Sequence, residues 1–369
     1  MLELQSDKMI TLFANLLQIV LGYKKDFHRN PSEQEWYQLF LIAKKQALLG
    51  VTYVAIERLP KDQRPPRQLI FQWFVEAEHI KRGNEELNIK AVNISQTFFK
   101  DGFRNIILKG QSVAQYYKIN NLDLYRTPGD VDIWLDGSRR DIIKYVRGKT
   151  TDCNIVYHHV DFPKMDGVEV EVHFTPSWMN SYFTNRKLQN FFYQHRDALF
   201  SQCNDNTEVI PGPSLAFDRV YILVHIYRHL FHEGVGLRQL MDYYFVLKQG
   251  FTEEEREVTM RTLQELKMTR FASAVMWVLH ERFGLESQYL LVLPNDKEGR
   301  FLLGEIMRSG NFGQYDPQIR RKRNESGLSH GIRKVRRNFR FVFSYPSEVI
   351  CSPLFKVWHY LWRKIHSFN

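Results

Sequence analysis

The sequence is poor in cysteine, with only three among its 369 residues. Cys153, Cys203 and Cys351 are odd in number and far apart in the chain. They therefore make neither a disulfide framework nor a zinc-binding pattern. We expect a protein of the reducing cytoplasm rather than a secreted one.

Long apolar runs are also lacking, so the sequence predicts no transmembrane segment. The stretch Met9–Tyr23 is apolar in patches, but Glu3 and Asp7 precede it and no small-residue cleavage site follows. This pattern favours a buried amphipathic helix over a signal peptide. Repeats and low-complexity tracts are absent, and the hydrophobic share of 44% is ordinary for a globular chain of two or three domains.

Acidic residues are scarce in one segment. The chain carries a net charge of +10, and the segment Asp316–Arg340, called here the basic segment, supplies +7 of it. Its two acids are Asp316 and Glu325, and its nine basic residues are Arg320, Arg321, Lys322, Arg323, Arg333, Lys334, Arg336, Arg337 and Arg340. Any argument from basic charge therefore concerns this C-terminal part and not the whole chain.

Three interpretations of the C-terminal part stay open. Ile332–Phe343 mixes basic and apolar residues, and Phe355–Ile365 adds Trp358, Tyr360 and Trp362. Such a region could bind weakly to an anionic membrane surface, bind nucleic acid, or pack on the core as a final pair of helices. Packing is the default expectation, because aromatic residues at helical spacing usually belong to a core.

Apolar spacing predicts helices at both ends of the chain and short strands between them. The predicted strands are Asn105–Leu108, Val131–Leu135, Asn154–Val160 and Val168–Phe174, with a helix at Asp141–Val146. The predicted helices are Met9–Leu21, Pro31–Leu48 with Ser32 as its N-cap and Gly50 as its stop, Gln68–Lys100, one from about Lys187, and others from Ser214 to about Gly310. The expected fold class is α+β, with a small mixed sheet flanked by helical segments. We divide the chain into an N-terminal helical region (1–101), a core with the sheet (102–180), a helical domain (181–310) and a basic, aromatic C-terminal helical region (311–369).

Two acids, Asp130 and Asp132, stand at the start of the second predicted strand. Alternate strand residues face the same side, about 6.6 Å apart, so the two carboxylates point together and Val131 and Ile133 point to the opposite face. Neighbouring anions repel unless a positive charge lies between them. A divalent metal ion is the usual solution, and Mg²⁺ prefers oxygen ligands of this kind.

The strand Val168–Phe174 offers a third carboxylate. Glu169, Glu171 and His173 share one face of it. Taken alone, this face is typical of a solvent-exposed side of a half-buried sheet. Following an Asp-x-Asp strand, it fits two-metal phosphoryl transfer, which needs a further carboxylate on a neighbouring strand.

These elements resemble the polymerase-beta-like nucleotidyltransferase superfamily, and more narrowly a poorly characterised bacterial nucleotidyltransferase family. The resemblance covers about Gln68 to Leu247, and no single motif carries it. The matching elements, in chain order, are Leu108-Lys109-Gly110, Arg126 with Asp130-Val131-Asp132, Val170-Glu171-Val172-His173, His225 with His229 and His232, and Leu237-Arg238-Gln239-Leu240-Met241-Asp242.

The resemblance implies transfer of a nucleoside monophosphate from a nucleoside triphosphate such as ATP to a hydroxyl or phosphate of an unknown acceptor: a small molecule, sugar, protein or RNA. It implies Mg²⁺ or Mn²⁺ as cofactor, with Asp130, Asp132 and Glu171 as catalytic residues and metal ligands; Glu171 is the third ligand or the base. It implies nucleotide binding by Lys109, Gly110, Gln111, Ser112, Arg126, His173 and His229. The glycine pattern departs from the superfamily, because Gln111 separates Gly110 from Ser112.

Several alternatives stay open. Arg126 holds a phosphate or forms a structural pair with an aspartate, and Lys109 contacts phosphate or caps its strand. The stripe His225, His229 and His232 packs beside the nucleotide or, with less support, binds zinc. Asp242 is expected to cap or to pair with Arg238, four residues earlier on a helix.

Two other functions compete with nucleotidyl transfer. One is a non-catalytic nucleotide-binding or interaction module of the same fold, which the intact carboxylates disfavour. The other is a polynucleotide-modifying enzyme, which rests only on the basic segment.

Overall fold

The α+β class is confirmed. The computed structural model describes residues 7–202, 209–321 and 325–367, so Cys203, Lys322 and Arg323 lie outside the described residues. The α-helices are α1 (Asp7–Val20), α2 (Glu33–Lys45), α3 (Leu49–Arg58), α4 (Arg67–Lys100), α5 (Gln111–Ala114), α6 (Arg139–Lys149), α7 (Tyr182–Ser201), α8 (Leu215–His232), α9 (Leu237–Lys248), α10 (Glu253–Glu265), α11 (Thr269–Val278), α12 (Asp296–Ser309), α13 (Gly327–Asn338) and α14 (Pro346–Ser367).

The four strands form one mixed sheet in the order β1-β2-β4-β3. They are β1 (Asn105–Ile107), β2 (Val131–Leu135), β3 (His159–Met165) and β4 (Val168–His173). β2 runs antiparallel to β1 and parallel to β4, whereas β3 and β4 form an antiparallel hairpin. The two strands that carry the predicted acids are therefore direct neighbours in the middle of the sheet.

The third strand begins later than predicted. The expected strand Asn154–Val160 is wrong, because the chain turns where Val156 N–H donates to the carbonyl of His159, and the strand runs from His159 to Met165. Pro163 lies inside this strand. β3 is an edge strand with an irregular register between Phe162 and Met165, which is where a residue without an N–H is tolerated.

Three helices have a serine N-cap at their start, whereas one predicted helix stop is wrong. The side chains of Ser32, Ser138 and Ser214 accept hydrogen bonds from the first turns of α2, α6 and α8, as N-caps do. Gly50 does not end a helix but lies in α3, where a Cβ would collide with the carbonyl oxygen of Tyr125. The break comes earlier, at Ala47, which has a left-handed φ of 54°.

The two faces of the sheet differ as the alternation predicted. Val131 and Ile133 of β2 and Val172 of β4 are buried in a core shared with α4 and α6. The opposite face carries Asp132 and Glu171, and α8 lies over it. Trp134, also on that face, stacks on Phe217 of α8 with ring centres 6.1 Å apart. The carboxylates are thus enclosed between the sheet and a helix.

The C-terminal part packs against the rest of the protein, as the default interpretation expected. Phe341, Tyr345 and Val349 belong to the larger hydrophobic core, which also contains residues of α1 to α4 and of α8 to α12. Arg337 is buried and donates to the carbonyl oxygen of Leu230 in α8. Among the described residues, no helix combines the length and the apolar character that a membrane crossing requires.

Candidate active site

Asp132 and Glu171 lie side by side on the neighbouring parallel strands β2 and β4. They are direct partners in the register, although they are 39 positions apart in the chain. Donor atoms of Asp132, Glu171 and His173 lie within 4.8 Å of one another. The structure therefore brings together two of the three predicted carboxylates, with an imidazole beside them.

Asp132 is almost fully buried and its charge is balanced by two cationic or polar groups. Lys109 Nζ lies 3.0 Å from its Oδ2, and His173 Nε2 lies 3.0 Å from its Oδ1. Burial raises the pKa of Asp132, but the charge of Lys109 and the hydrogen bond from His173 outweigh burial and lower the pKa. Asp132 is therefore held ionised.

Glu171 contacts two histidines. Its Oε2 lies 3.1 Å from His159 Nδ1 and 3.5 Å from His173 Nε2. Burial lowers the pKa of His159, but its hydrogen bonds to Asp161 and Glu171 outweigh burial and raise it to about 9. His159 therefore acts as a positive neighbour of Glu171, whose own pKa is lowered by both histidines against the effect of burial.

Asp130 lies just before β2 and lines two cavities that it shares with Lys109. The Gly110 chamber, of about 30 Å³, is lined by Lys109, Gly110, Asp130, Asp132, His225 and Arg238 among others. The Glu171 chamber, of about 370 Å³, is lined by Lys109, Asp130, His158, Glu171, Trp178 and Arg228 among others. The first has room for little more than water, whereas the second is large enough for a small ligand.

The donor set suits a hard divalent cation. Repulsion by the charge of Asp132, followed by burial, raises the pKa of Asp130. Three carboxylates thus meet two cations, Lys109 and His159. Carboxylate oxygens with one nearby imidazole are ligands that Mg²⁺ and Mn²⁺ accept. Among the described residues, Asp132, Glu171 and His173 form one group whose donor atoms are close enough to hold an ion, and His158, His159 and His173 form another.

Comparison with known proteins decides the family. The model of a family described as "Uncharacterised nucleotidyltransferase" matches residues 32–284, which is more than half of the chain. The chain belongs to this nucleotidyltransferase family. Searches among curated proteins and among solved structures gave no significant match. The family match supports a general role in nucleotidyl transfer, and it extends beyond the segment 68–247 on both sides.

Two residues of the glycine motif turn away from the carboxylates. Gln111 donates to Asn88 Oδ1 at 2.6 Å and lines a separate cavity of about 530 Å³. Ser112 is buried against Gly212. Gly110, with a left-handed φ of 66°, lies in the chamber beside Lys109 and Asp130. Within the motif, Lys109 and Gly110 are thus the residues that face the acids.

Arg126 forms a buried ion pair with Asp242 of α9. Its Nε donates to Oδ1 at 2.7 Å and its Nη2 to Oδ2 at 3.0 Å, and Tyr117 donates to the same carboxylate at 2.6 Å. The hydrogen bonds of Asp242 therefore go to Arg126 and Tyr117, and the expected pair with Arg238 is wrong. This geometry favours the structural role for Arg126, with an aspartate more distant in the chain than expected.

The histidine stripe of α8 packs beside the site. His225 lines the Gly110 chamber and His229 the Glu171 chamber, with ring centres 4.2 Å apart. His232 lies near Asn180, with Nε2 3.2 Å from its Oδ1. In the part of the chain that the structure describes, these three histidines do not converge as ligands of one ion. The packed interpretation is therefore favoured over zinc.

Sequence reasoning missed His158, His159, Asp161 and Arg228, which surround Glu171. His159 and Asp161 alternate along β3 and are paired in register with His173 and Glu171 of β4. The His-x-Asp alternation was a usable signal, but the misplaced third strand concealed it. Arg228 stands between His225 and His229 in the sequence, and no motif singled it out.

Proposed function

We propose that the protein transfers a nucleoside monophosphate from a nucleoside triphosphate to a hydroxyl or phosphate of an acceptor. The proposal is carried by one observation: Asp132 and Glu171 are register partners on adjacent parallel strands, with Lys109 against them. Membership of the nucleotidyltransferase family supports it. Positioning and charge neutralisation supply most of the catalysis in such reactions, so the site needs no separate activated nucleophile.

Asp130, Asp132 and Glu171 would hold Mg²⁺ or Mn²⁺. When bound, the ion polarises the phosphate and neutralises charge as the bond to the leaving group breaks. Lys109 holds Asp132 in place and adds a positive charge beside the reacting phosphate. The Gly110 turn allows the backbone to approach that phosphate closely.

Glu171 fits the role of ligand better than that of base. Hydrogen bonds from His159 and His173 lower its pKa despite burial, and a carboxylate with a lowered pKa accepts a proton poorly. General bases work best with a pKa near the working pH. The proton of an acceptor hydroxyl would therefore leave by another route, and Glu171 would stay ionised throughout.

Calorimetric titration with Mn²⁺ and nucleotide tests the site. We expect the wild type to bind and the double variant Asp130→Asn/Asp132→Asn to lose binding. The matched control is Asp166→Asn, at an exposed left-handed position in the β3–β4 turn that asparagine also adopts. Equal binding by the wild type and the double variant would refute the proposed site.

Label transfer distinguishes an enzyme from a binding module. The protein is incubated with each α-labelled nucleoside triphosphate and a cell extract, and the labelled product is isolated. Transfer that requires Asp130 and Asp132 supports the enzyme and identifies the acceptor class. Nucleotide binding without transfer to any component would favour the non-catalytic module.

The polynucleotide-modifying alternative has less support. Arg340 lies 3.0 Å from Glu305, Arg333 pairs with Glu325, and Arg337 lies within 3.8 Å of Glu305. Glu325 is already included in the net charge of +7, so the acid that these contacts add is Glu305, which Arg337 and Arg340 share. Glu305 offsets part of the positive charge of the basic segment and so weakens the case for a polyanion partner.

A further inference from the structure

Arg228 reaches the Glu171 chamber from α8 without a carboxylate partner. Its guanidinium carbon lies 4.1 Å from the centre of the Trp178 ring. Its Nη1 lies 3.0 Å from His158 Nε2, and its Nη2 lies 3.3 Å from His229 Nε2. Among the described residues, no Asp or Glu oxygen lies within 4.0 Å of this guanidinium, in contrast to Arg126.

The two histidines orient Arg228 without cancelling its charge. Burial, followed by the charge of Arg228, lowers the pKa of His158 well below its usual value. Burial also lowers the pKa of His229, whose Nδ1 lies 2.9 Å from Glu233 and so leaves Nε2 free to accept. Both rings are therefore neutral acceptors, and the guanidinium remains a full positive charge.

Arg228 also keeps unused donors. A guanidinium has five N–H groups, and the Nε of Arg228 is buried with no hydrogen-bond partner in the described part of the chain. A sheltered cation that lacks a counter-charge is costly. Of the other cations of the chamber, Lys109 contacts Asp132 and His159 contacts Glu171. Glu233 is close enough for the charge of Arg228 to lower its pKa, but no carboxylate among the described residues contacts the guanidinium of Arg228.

We propose that Arg228 is the anchor of a phosphate-binding subsite in the Glu171 chamber. Guanidinium groups match phosphate oxygens through paired N–H donors, and stacking on Trp178 fixes the plane of that fork. The acids of the same chamber are partly offset even without a metal ion. Glu171 contacts His159 and His173, and Glu233 contacts His229.

The subsite deepens the proposed function and rests on it for the source of the phosphate. Lys109 and Asp130 line both chambers, so a ligand held by Arg228 lies next to the carboxylates. The phosphate belongs either to the polyphosphate of the donor nucleotide or to the acceptor. Both sources share the chemistry that Arg228 recognises.

The test is calorimetric titration of the full chain with pyrophosphate, without divalent metal. We expect Arg228→Gln to bind about tenfold to hundredfold more weakly than the wild type, as loss of charge-assisted hydrogen bonds does. Arg261→Gln, which removes the same charge from an exposed position of α10, should bind as the wild type does. Unchanged affinity of Arg228→Gln, or no binding by the wild type, would overturn the subsite.

Circular dichroism checks that each variant is folded. If Arg228→Gln does not fold, Arg228→Lys replaces it, because lysine keeps the charge and the aliphatic stem but lacks the planar fork. That variant should also bind pyrophosphate at least several-fold more weakly. Wild-type affinity of a folded Arg228→Lys would count against a phosphate anchored through the guanidinium.

A second titration, with Mg²⁺ and an ATP analogue that cannot be cleaved between its α and β phosphates, identifies the source. Weaker binding of the analogue by Arg228→Gln supports the donor polyphosphate. Unchanged binding, together with weaker pyrophosphate binding, supports a phosphate on the acceptor. Metal-free pyrophosphate binding that persists in Asp130→Asn/Asp132→Asn keeps the subsite valid even if nucleotidyl transfer is refuted.

Discussion

Breaking the pair between Arg126 and Asp242 should destabilise the protein strongly, and removing both charges should not. Arg126 is 4% exposed and Asp242 is 7% exposed, and they share two hydrogen bonds. The pair joins the segment before Asp130 to α9. Asp242 of α9, 116 positions from Arg126, therefore holds in place the segment that leads to Asp130.

The magnitude follows from burial. Asp242→Leu leaves a buried cation unpaired, and Arg126→Met leaves a buried anion, each at a cost of about 3–5 kcal/mol. Asp242→Leu should cost more, because Arg238 is close to Arg126: burial and then the charge of Arg126 lower the pKa of Arg238 to about 10. Two arginines would then repel each other without Asp242 between them. The double variant should cost no more than the milder single one.

Urea-induced unfolding of the two single variants and the double variant measures this coupling. Costs that simply add would refute the reasoning, because independent sites add and a charge pair does not. Nucleotide titration of the folded double variant then decides the role of Arg126. Wild-type affinity assigns it to structure, whereas lost affinity returns it to phosphate binding.

Three further predictions concern single positions. Glu171→Gln should abolish label transfer with the fold intact, and Glu169→Gln, at an exposed position of β4, should have a milder effect. Full activity of Glu171→Gln would contradict its proposed role as a metal ligand. Gly50→Ala should lower the free energy of unfolding by about 1–3 kcal/mol through a backbone clash. Gly83→Ala, in α4, should raise the free energy of unfolding by about 0.5–1 kcal/mol, because the nearest atom is 3.8 Å from the added Cβ. Changes of the same sign for both variants in urea unfolding would contradict this packing. Glu348→Ala should lower the free energy of unfolding by about 1–3 kcal/mol, because Glu348 accepts hydrogen bonds from two backbone amides before α7. Unchanged thermal stability of this variant would show that these hydrogen bonds are not needed.

The central part of the site could be predicted because it follows from local rules. Alternation along β2 places Asp132 on the face opposite Val131 and Ile133, and the structure confirms both faces. The proximity of Asp132 and Glu171 was predicted from a chemical requirement, because two-metal phosphoryl transfer needs carboxylates from neighbouring strands. Such a requirement can join residues that no periodicity connects.

The histidine surroundings of Glu171 could not be predicted with the strand misplaced. The expected third strand began five residues too early and ended at Val160, so Asp161 lay outside it and no pairing with β4 was predicted. Pro163 lies within the observed strand, which tolerates a residue without an N–H because it is at the edge of the sheet. Without the correct strand, His159 and Asp161 had no predicted neighbour.

Charge counted along the sequence also differs from charge in the folded protein. The basic segment has two acids of its own, yet Arg337 and Arg340 also meet Glu305, which lies on α12 before the segment begins. A window of sequence cannot include an acid supplied by another helix, so it overstates the positive surface.

The same folding gives the C-terminal region a place in the site. His359 of α14 accepts from the backbone N–H of Tyr157 at 3.1 Å, and both residues line the Glu171 chamber. The wall of this chamber therefore includes a residue more than 180 positions beyond Glu171. His359 of α14 lines the chamber in which a ligand of Arg228 would lie. Substitution of His359 should therefore change the affinity for that ligand while the positions of the carboxylates stay the same.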